Sequence, residues 1–209
     1  MSAPHGAGAW SVVLRLATPA DGDAVAAIYA PYVRDTAISF ELRPPDGTEM
    51  AARIVRTLER TPWVIAEVDG VARAYAYAGR FRDRPAYDWS VESGIYVDVA
   101  SRGLGLGRAL MDGLIAVLRL QRFRMLIAGV TPPNPASVRL HLALGFRRVG
   151  LFEGVGYKFG AWQDVEFFEL ELAPRMDGEV PPPVRPLPEL LGSPELARAL
   201  AGSGSASAG

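Results

Sequence analysis

The residues whose types and spacing suit chemistry crowd into one stretch, Trp89 to Ala109, which reads WSVESGIYVDVASRGLGLGRA. Its carboxylate is Glu92. From Tyr87 to Val99 the odd positions Tyr87, Trp89, Val91, Ile95, Val97 and Val99 are large and apolar. The even positions Asp88, Ser90, Glu92, Gly94 and Asp98 are polar or small, with Tyr96 the exception. A period of two predicts a strand with one face in a core and Glu92 on the other. Gly94 is a point of risk, because a bulge there would flip the parity of everything after it. A glycine-rich turn follows, Arg102-Gly103-Leu104-Gly105-Leu106-Gly107, and then a helical stripe of Leu106, Leu110, Gly113, Leu114, Val117 and Leu118.

Strand, glycine turn and helix form an anion-binding layout. The first N–H groups of a helix lack internal partners and sit at the positive end of its dipole, and glycines let a phosphate come close. No Gly-Lys-Ser/Thr follows, so the turn is not a P-loop. Arg108 stands where the third glycine of a dinucleotide fingerprint belongs. The spacing that fits is R-x-x-G-x-G, with Arg102, Gly105 and Gly107. Arg102 and Arg108 flank the turn and can neutralise phosphate charge. Further along, Asn134, Ser137 and His141 recur at three- and four-residue steps and share one face of a short helix. Histidine there can act as acid or base near neutral pH.

These groups need a scaffold, and the rest of the sequence predicts one. Strands are expected at 12–16, 63–68, 71–78, 125–130, 146–151 and 165–172. A helix opens at Thr18-Pro19 and should end or kink at Pro31. Residues 39–42 read as a short extended piece. Helices are expected at 47–60 and 134–144, the latter closed by Gly145. Asp69-Gly70 is a type I′ hairpin turn. Residues 79–86 form an arginine-bearing loop, and Gly154 to Gly160 a glycine-rich one. The whole is an α/β fold, a mixed and mostly antiparallel central sheet flanked by helices on both faces. Residues 1–11 are read as a disordered N-terminus, 12–173 as the folded domain, and 174–209 as a disordered Pro/Gly/Ala/Ser-rich tail with a brief helical turn at 194–201.

Composition narrows the function classes. The chain has 209 residues, formal net charge −1, no cysteine and two histidines. There is no bulk basic field for nucleic acid, and neither a thiolate metal site nor a disulfide can form. Two isolated histidines make no recognisable metal site. No apolar run approaches the roughly 20 residues that span a membrane, and the N-terminus lacks a signal-peptide pattern. The expectation is a cytoplasmic protein.

The strings AYDWSVES (86–93), SVRLHLALGF (137–146) and GYKFGAWQDV (156–165), together with the R-x-x-G-x-G turn, resemble the phosphinothricin and methionine sulfoximine branch of the GCN5-related N-acetyltransferases. The resemblance covers roughly residues 12 to 173. It implies acetyl-CoA as co-substrate, no metal, a small-molecule amine as acceptor and a homodimer. It places the general base at Glu92. It places the pantetheine arm along Ile95, Tyr96, Val97 and Val99, with the Val97 N–H as a candidate oxyanion donor, and the diphosphate on Arg102, Gly103, Leu104, Gly105, Leu106, Gly107 and Arg108. Asn134 and Ser137 would hold the arm. In this branch a histidine stands where many acetyltransferases have a tyrosine, so His141 is either the general acid or an orienting group. Arg82 and Arg84 are candidates to clamp an acceptor's carboxylate or phosphinate. Tyr29, Tyr32 and Phe40 would wall the acceptor site. Lys158 would reach that site from the late loop. Asp83 and Pro85 make the arginine loop stiffer and less basic than the family pattern, and the run Thr131-Pro-Pro-Asn carries an extra proline. Other small amines, a protein N-terminus, and a non-catalytic acyl-CoA-binding module are the alternatives.

Overall fold

The computed structural model describes residues 11–202. Of the expected N-terminal segment only Ser11 falls within them, and its N–H donates to Asp69 Oδ1 at 3.2 Å. His5 and residues 203–209 lie outside. The elements are β1 (Val12–Leu16), α1 (Gly22–Asp35), α2 (Gly47–Leu58), β2 (Trp63–Val68), β3 (Val71–Arg80), β4 (Ser90–Val97), α3 (Leu106–Leu120), β5 (Met125–Val130), α4 (Pro135–Ala143), β6 (Arg147–Lys158), β7 (Ala161–Glu171) and α5 (Pro194–Ala201). They build one seven-stranded sheet in the order β1-β2-β3-β4-β5-β7-β6. The β4–β5 pair is parallel and the other pairs are antiparallel.

Alternation along the strands separates two cores. On one face Ala74, Ala76, Ala78 and Val91 pack with Leu110, Leu114 and Leu118 of α3, Leu126 and Phe168. On the other, Trp63, Ile65 and Tyr75 pack with Val25, Ile28 and Tyr32 of α1 and Met50 and Ile54 of α2. Each fully buried large side chain contributes about 1.5–3 kcal/mol. Asp69 and Gly70 both have positive φ, as the predicted type I′ turn requires. Among the described residues no helix is long and apolar enough to cross a membrane.

Several expectations are corrected. Pro31 does not end α1, which runs on to Asp35 and buries Tyr32 and Val33 beyond the proline. Residues 39–42 are irregular rather than extended strand. The late glycine-rich stretch is not a loop. β6 continues through it to a tight turn at Phe159-Gly160, after which β7 starts at Ala161, with register irregularity between Phe152 and Gly156. Tyr87 and Val99 lie outside β4, in short 3-10 turns on either side of it.

The tail reading is corrected too. Within residues 174–202 Leu187, Leu190 and Leu196 are buried against Val117 of α3. The Gln121 amide donates to the carbonyls of Arg60 (2.6 Å) and Arg185 (2.9 Å), and Trp89 Nε1 donates to Pro182 O at 2.8 Å. The segment holds too few large apolar groups for a core of its own, but it needs only to complete one that α3 already offers. The helical turn expected at 194–201 is α5.

Candidate active site

The site lies where the sheet parts. β4 pairs with β5 only from Ser90–Ser93 to Met125–Ala128. Beyond that, β4 continues with β3 as far as Val97, and β5 continues with β7 as far as Val130. The gap opens into a cavity of about 840 Å³ that runs from Glu92 to the glycine turn and α4.

Glu92 stands in a hollow made by glycines. Gly79 faces it directly across β3, and Gly94 follows it on the same face of β4. A Cβ on Gly129 of β5 would lie 3.5 Å from Glu92 Oε1. A Cβ at Gly79 would meet nothing within 4 Å, so the space beside the carboxylate is open. The β3–β4 register is regular through Gly94, so the predicted parity holds. Burial pushes the Glu92 carboxyl above the usual carboxylate range, and the charge of Arg82 opposes this.

The glycine turn has the geometry of an anion cradle. Gly103 and Gly105 have φ of 83° and 76°, and Gly105 caps α3 in the left-handed region. The first helical N–H groups are thereby left without internal acceptors. A Cβ on Gly107 would lie 3.4 Å from Leu140 and 3.7 Å from Ile95, in van der Waals contact with both, so a larger side chain there would narrow the passage. Arg102, Gly103, Gly105, Leu106, Gly107 and Arg108 all line the cleft, as do Ile95, Tyr96 and Val97. Arg102 also sits 5.4 Å over the Tyr32 ring, and Arg108 is ion-paired with Asp112 at 2.7 Å.

Not every expected residue arrives. Leu104 packs against the core and Val99 is exposed at the surface, neither lining the cleft. The Asp98 N–H goes to Arg73 O on β3, so by alternation the polar groups of Val97 face the gap. There the Tyr32 hydroxyl donates to Val97 O at 2.6 Å and accepts from the Val97 N–H at 3.2 Å. The proposed oxyanion donor is therefore already engaged.

On α4, Asn134 caps the helix by accepting from the Ser137 N–H at 3.2 Å, and both residues line the cleft. His141 lines it as well, at 2% exposure. Its Nδ1 lies 2.8 Å from the Ser137 carbonyl, an acceptor only, so Nδ1 carries the proton and Nε2 is bare. Nε2 is buried with no partner among the described residues. Burial against Phe146 and Phe168 pulls the imidazole below its ordinary range, although the Ser137 bond opposes this. A neutral ring with a bare Nε2 accepts hydrogen bonds. It is not poised to give up a proton.

The acceptor-side expectations fare unevenly. Arg82 and Arg84 are both exposed, and of the two only Arg82 bears on Glu92. Tyr29 donates to Glu41 and bonds the Ser39 hydroxyl. Phe40 packs over Gly156, whose Cβ would collide with its ring, and is not among the residues lining the cleft. Lys158 does not reach the site. It is buried, and its Nζ donates to Val33 O (2.7 Å) and Ser39 O (2.6 Å), tying the β6–β7 hairpin to the last turns of α1 and the loop that follows it. Its ammonium is held below its ordinary pKa by desolvation, with Glu41 opposing. Tyr32, expected as a wall of the acceptor site, does line the cleft. Sequence reasoning missed Arg80. It also missed Gly79 and Gly129, although glycine inside a strand signals close approach of something else.

The model of the "Acetyltransferase (GNAT) domain" family matches residues 14–166. The chain belongs to this family. It is 40% identical over 176 residues to a phosphinothricin N-acetyltransferase of Streptomyces viridochromogenes, covering 84% of this chain and 93% of that one. It is 36% identical over 162 residues to an L-methionine sulfoximine/L-methionine sulfone acetyltransferase of Salmonella typhimurium, covering 77% and 95%. Its fold superimposes on the crystal structure of a phosphinothricin acetyltransferase from Sinorhizobium meliloti in complex with acetyl-CoA. That match has a TM-score of 0.75 and 35% identity, and it covers 82% of this chain and 96% of that one. The chain is thus an acetyltransferase built on an open, mixed seven-stranded sheet. Its cleft has a glycine turn at the N-terminus of α3 and an unpaired edge on β4.

Proposed function

We propose that the protein transfers the acetyl group of acetyl-CoA to the free amine of a small amino-acid analogue of the phosphinothricin or methionine sulfoximine type, with Glu92 as general base. The observation that carries this reading is the half-buried Glu92 carboxylate, of raised proton affinity, in a glycine-walled hollow at the point where β4 and β5 part.

Acetyl-CoA supplies an acyl group activated as a thioester. The turn Arg102–Gly107 and Arg108 would hold its diphosphate, and the free edge of β4 at Ile95 would hold its arm. An amine arriving as ammonium must lose one proton before it can attack, and Glu92 accepts that proton directly or through a water. A second proton leaves the nitrogen as the amide forms and is available to the departing sulfur. His141, neutral with Nε2 bare, acts as an acceptor that orients the arm or a water rather than as the general acid. Arg82, whose charge bears on Glu92, would draw the carboxylate of an amino acid so that its amine meets the base.

The assembly consistent with this site is a homodimer. Val149, Leu151, Phe152, Val155, Phe159 and Trp162 expose apolar surface along the β6–β7 hairpin. Surface of that kind is usually covered.

Thiol release from acetyl-CoA is the test, with phosphinothricin, methionine sulfoximine, methionine sulfone, methionine, simple amines and a short peptide as acceptors. Turnover confined to the free amino-acid acceptors is the expected result. Turnover of the peptide or of simple amines alone would overturn the substrate class. Sedimentation of the protein as a monomer at micromolar concentration would overturn the dimer.

A further inference from the structure

A second cavity, of about 370 Å³, opens beside the acetyl-transfer cleft between α2 and the sheet. Tyr77, Gly79, Arg80 and Tyr96 line both, so the two spaces meet a short way from Glu92. Its floor is aromatic. Trp63 stacks on Tyr77 with ring centroids 4.5 Å apart and on Tyr75 at 5.4 Å. Trp63 is 2% exposed, and its indole N–H is buried with no acceptor among the described residues. A buried donor left unpaired costs about 1–3 kcal/mol and calls for an explanation.

The rim adds positive charge. Arg53, Arg56, Arg60 and Arg80 line the cavity. Arg53 is paired with Glu41 and Glu49, and Arg60 and Arg80 share Asp88. Four guanidiniums thus meet three carboxylates, and no described ion pair engages Arg56. Of the four buried side-chain polar atoms without a partner among the described residues, two belong to residues lining these two adjoining cavities. His141 Nε2 is an acceptor in the transfer cleft, and Trp63 Nε1 is a donor in this one. The chamber's lining thus includes a residue with an unpartnered hydrogen-bond donor, and an excess of positive charge over aromatic walls.

We infer that this chamber receives the distal end of the acceptor, the end away from its amine, and selects for an oxygen-rich terminus such as a sulfone, sulfoximine or phosphinate, with the Trp63 indole N–H donating to that oxygen. This rests on the amino-acid acceptor proposed above and adds a specificity-determining residue to it. The amine lies at Glu92, and the side chain passes Tyr77 and Tyr96 into the chamber. A thioether of the same shape fills the space but leaves the indole unpaired.

The experiment compares methionine sulfone with methionine, which differ by the two sulfonyl oxygens. Trp63→Phe keeps an aromatic ring in the stack and removes the N–H. The expected result is a fall in kcat/KM for the sulfone of roughly tenfold, carried by KM, with methionine changed less than about twofold. In the wild type the Trp63 indole N–H resonance should shift on adding the sulfone and stay in place on adding methionine. Equal losses for both acceptors, or no loss for either, would overturn the inference. If Trp63→Phe does not fold, Arg56→Gln on the exposed rim decides. A several-fold rise in KM for anionic phosphinothricin with the uncharged sulfone unaffected supports the chamber, and parallel behaviour of the two rejects it. Wild-type protein inactive on every amino-acid acceptor would instead defeat the substrate class itself, and the chamber with it.

Discussion

The two halves of the cleft are made from different material. The half we propose for the cofactor is backbone. Its anion cradle is the N-terminus of α3 with two left-handed glycines, and its arm site is the edge of β4 that β5 leaves unpaired. The half we propose for the acceptor is side chain. Glu92 comes from β4, Arg80 and Tyr77 from β3, Trp63 from β2 and Arg56 from α2, and the Lys158 clamp from the hairpin holds the adjoining loop. A backbone site tolerates most side chains around it and rejects additions to its glycines. A side-chain site changes specificity with single substitutions and leaves the cofactor alone. One family can therefore keep its co-substrate while its acceptors diverge.

That contrast makes the halves separable by mutation. Glu92→Gln should have the largest effect, lowering kcat by about 10²- to 10⁴-fold in a steady-state thiol assay. Ionising Glu92 is disfavoured in the fold, so its carboxylate reduces stability as pH rises through the window above its ordinary 4.5. The glutamine variant should accordingly melt at or above the wild-type temperature at pH 7. A large loss of stability would remove Glu92 from the list of residues kept for chemistry.

Gly107→Val strikes the other half. Its side chain would press on Leu140 and Ile95, and overpacking of this kind costs about 1–3 kcal/mol. The KM for acetyl-CoA should rise roughly tenfold or more, with the ranking of acceptors unchanged. An altered ranking would show that the halves are coupled.

Lys158→Met removes an ammonium that donates to two buried carbonyls. Hydrogen bonds to charged groups contribute about 1.5–3 kcal/mol each, so urea denaturation should show a loss of that order. The amine KM should rise through a loosened loop at 33–39, and the acetyl-CoA KM should not move.

The smallest effect is on acid stability. His141 is held neutral, with its folded pKa below the ordinary 6.5. Its contribution is complete above 6.5 and is lost as pH falls through the window beneath that value. His141→Gln should flatten the acid side of a melting-temperature profile below pH 6.5. An unchanged slope would mean that the ring is free to protonate in place, and would restore it as a general acid.

The same division decided what was legible in the sequence. The glycine turn is read from six consecutive residues because an anion cradle is local, and the parity that faces Glu92 away from α3 survives because Gly94 makes no bulge. The sheet's element order follows from hydrophobic period and turn residues. Trp63 and Arg56 carried no such signal. One reads as core and the other as surface, and only the packing of α2 over β2 and β3 brings them to one chamber. Lys158 was misread because glycines at 154, 156 and 160 look like a loop. Gly156 in fact admits the Phe40 ring, and the strand runs on to bury the lysine. The tail was judged by whether it could fold alone, a test that ignores the apolar stripe α3 holds out to it.

The central claim is that Glu92 serves the acceptor half alone. The direct test is to measure acetyl-CoA affinity by calorimetry and thiol release with methionine sulfone on the same preparation of Glu92→Gln. The account predicts cofactor binding within about twofold of wild type and turnover reduced at least about 100-fold. Turnover within a few-fold of wild type, or cofactor affinity falling in step with it, would contradict the account.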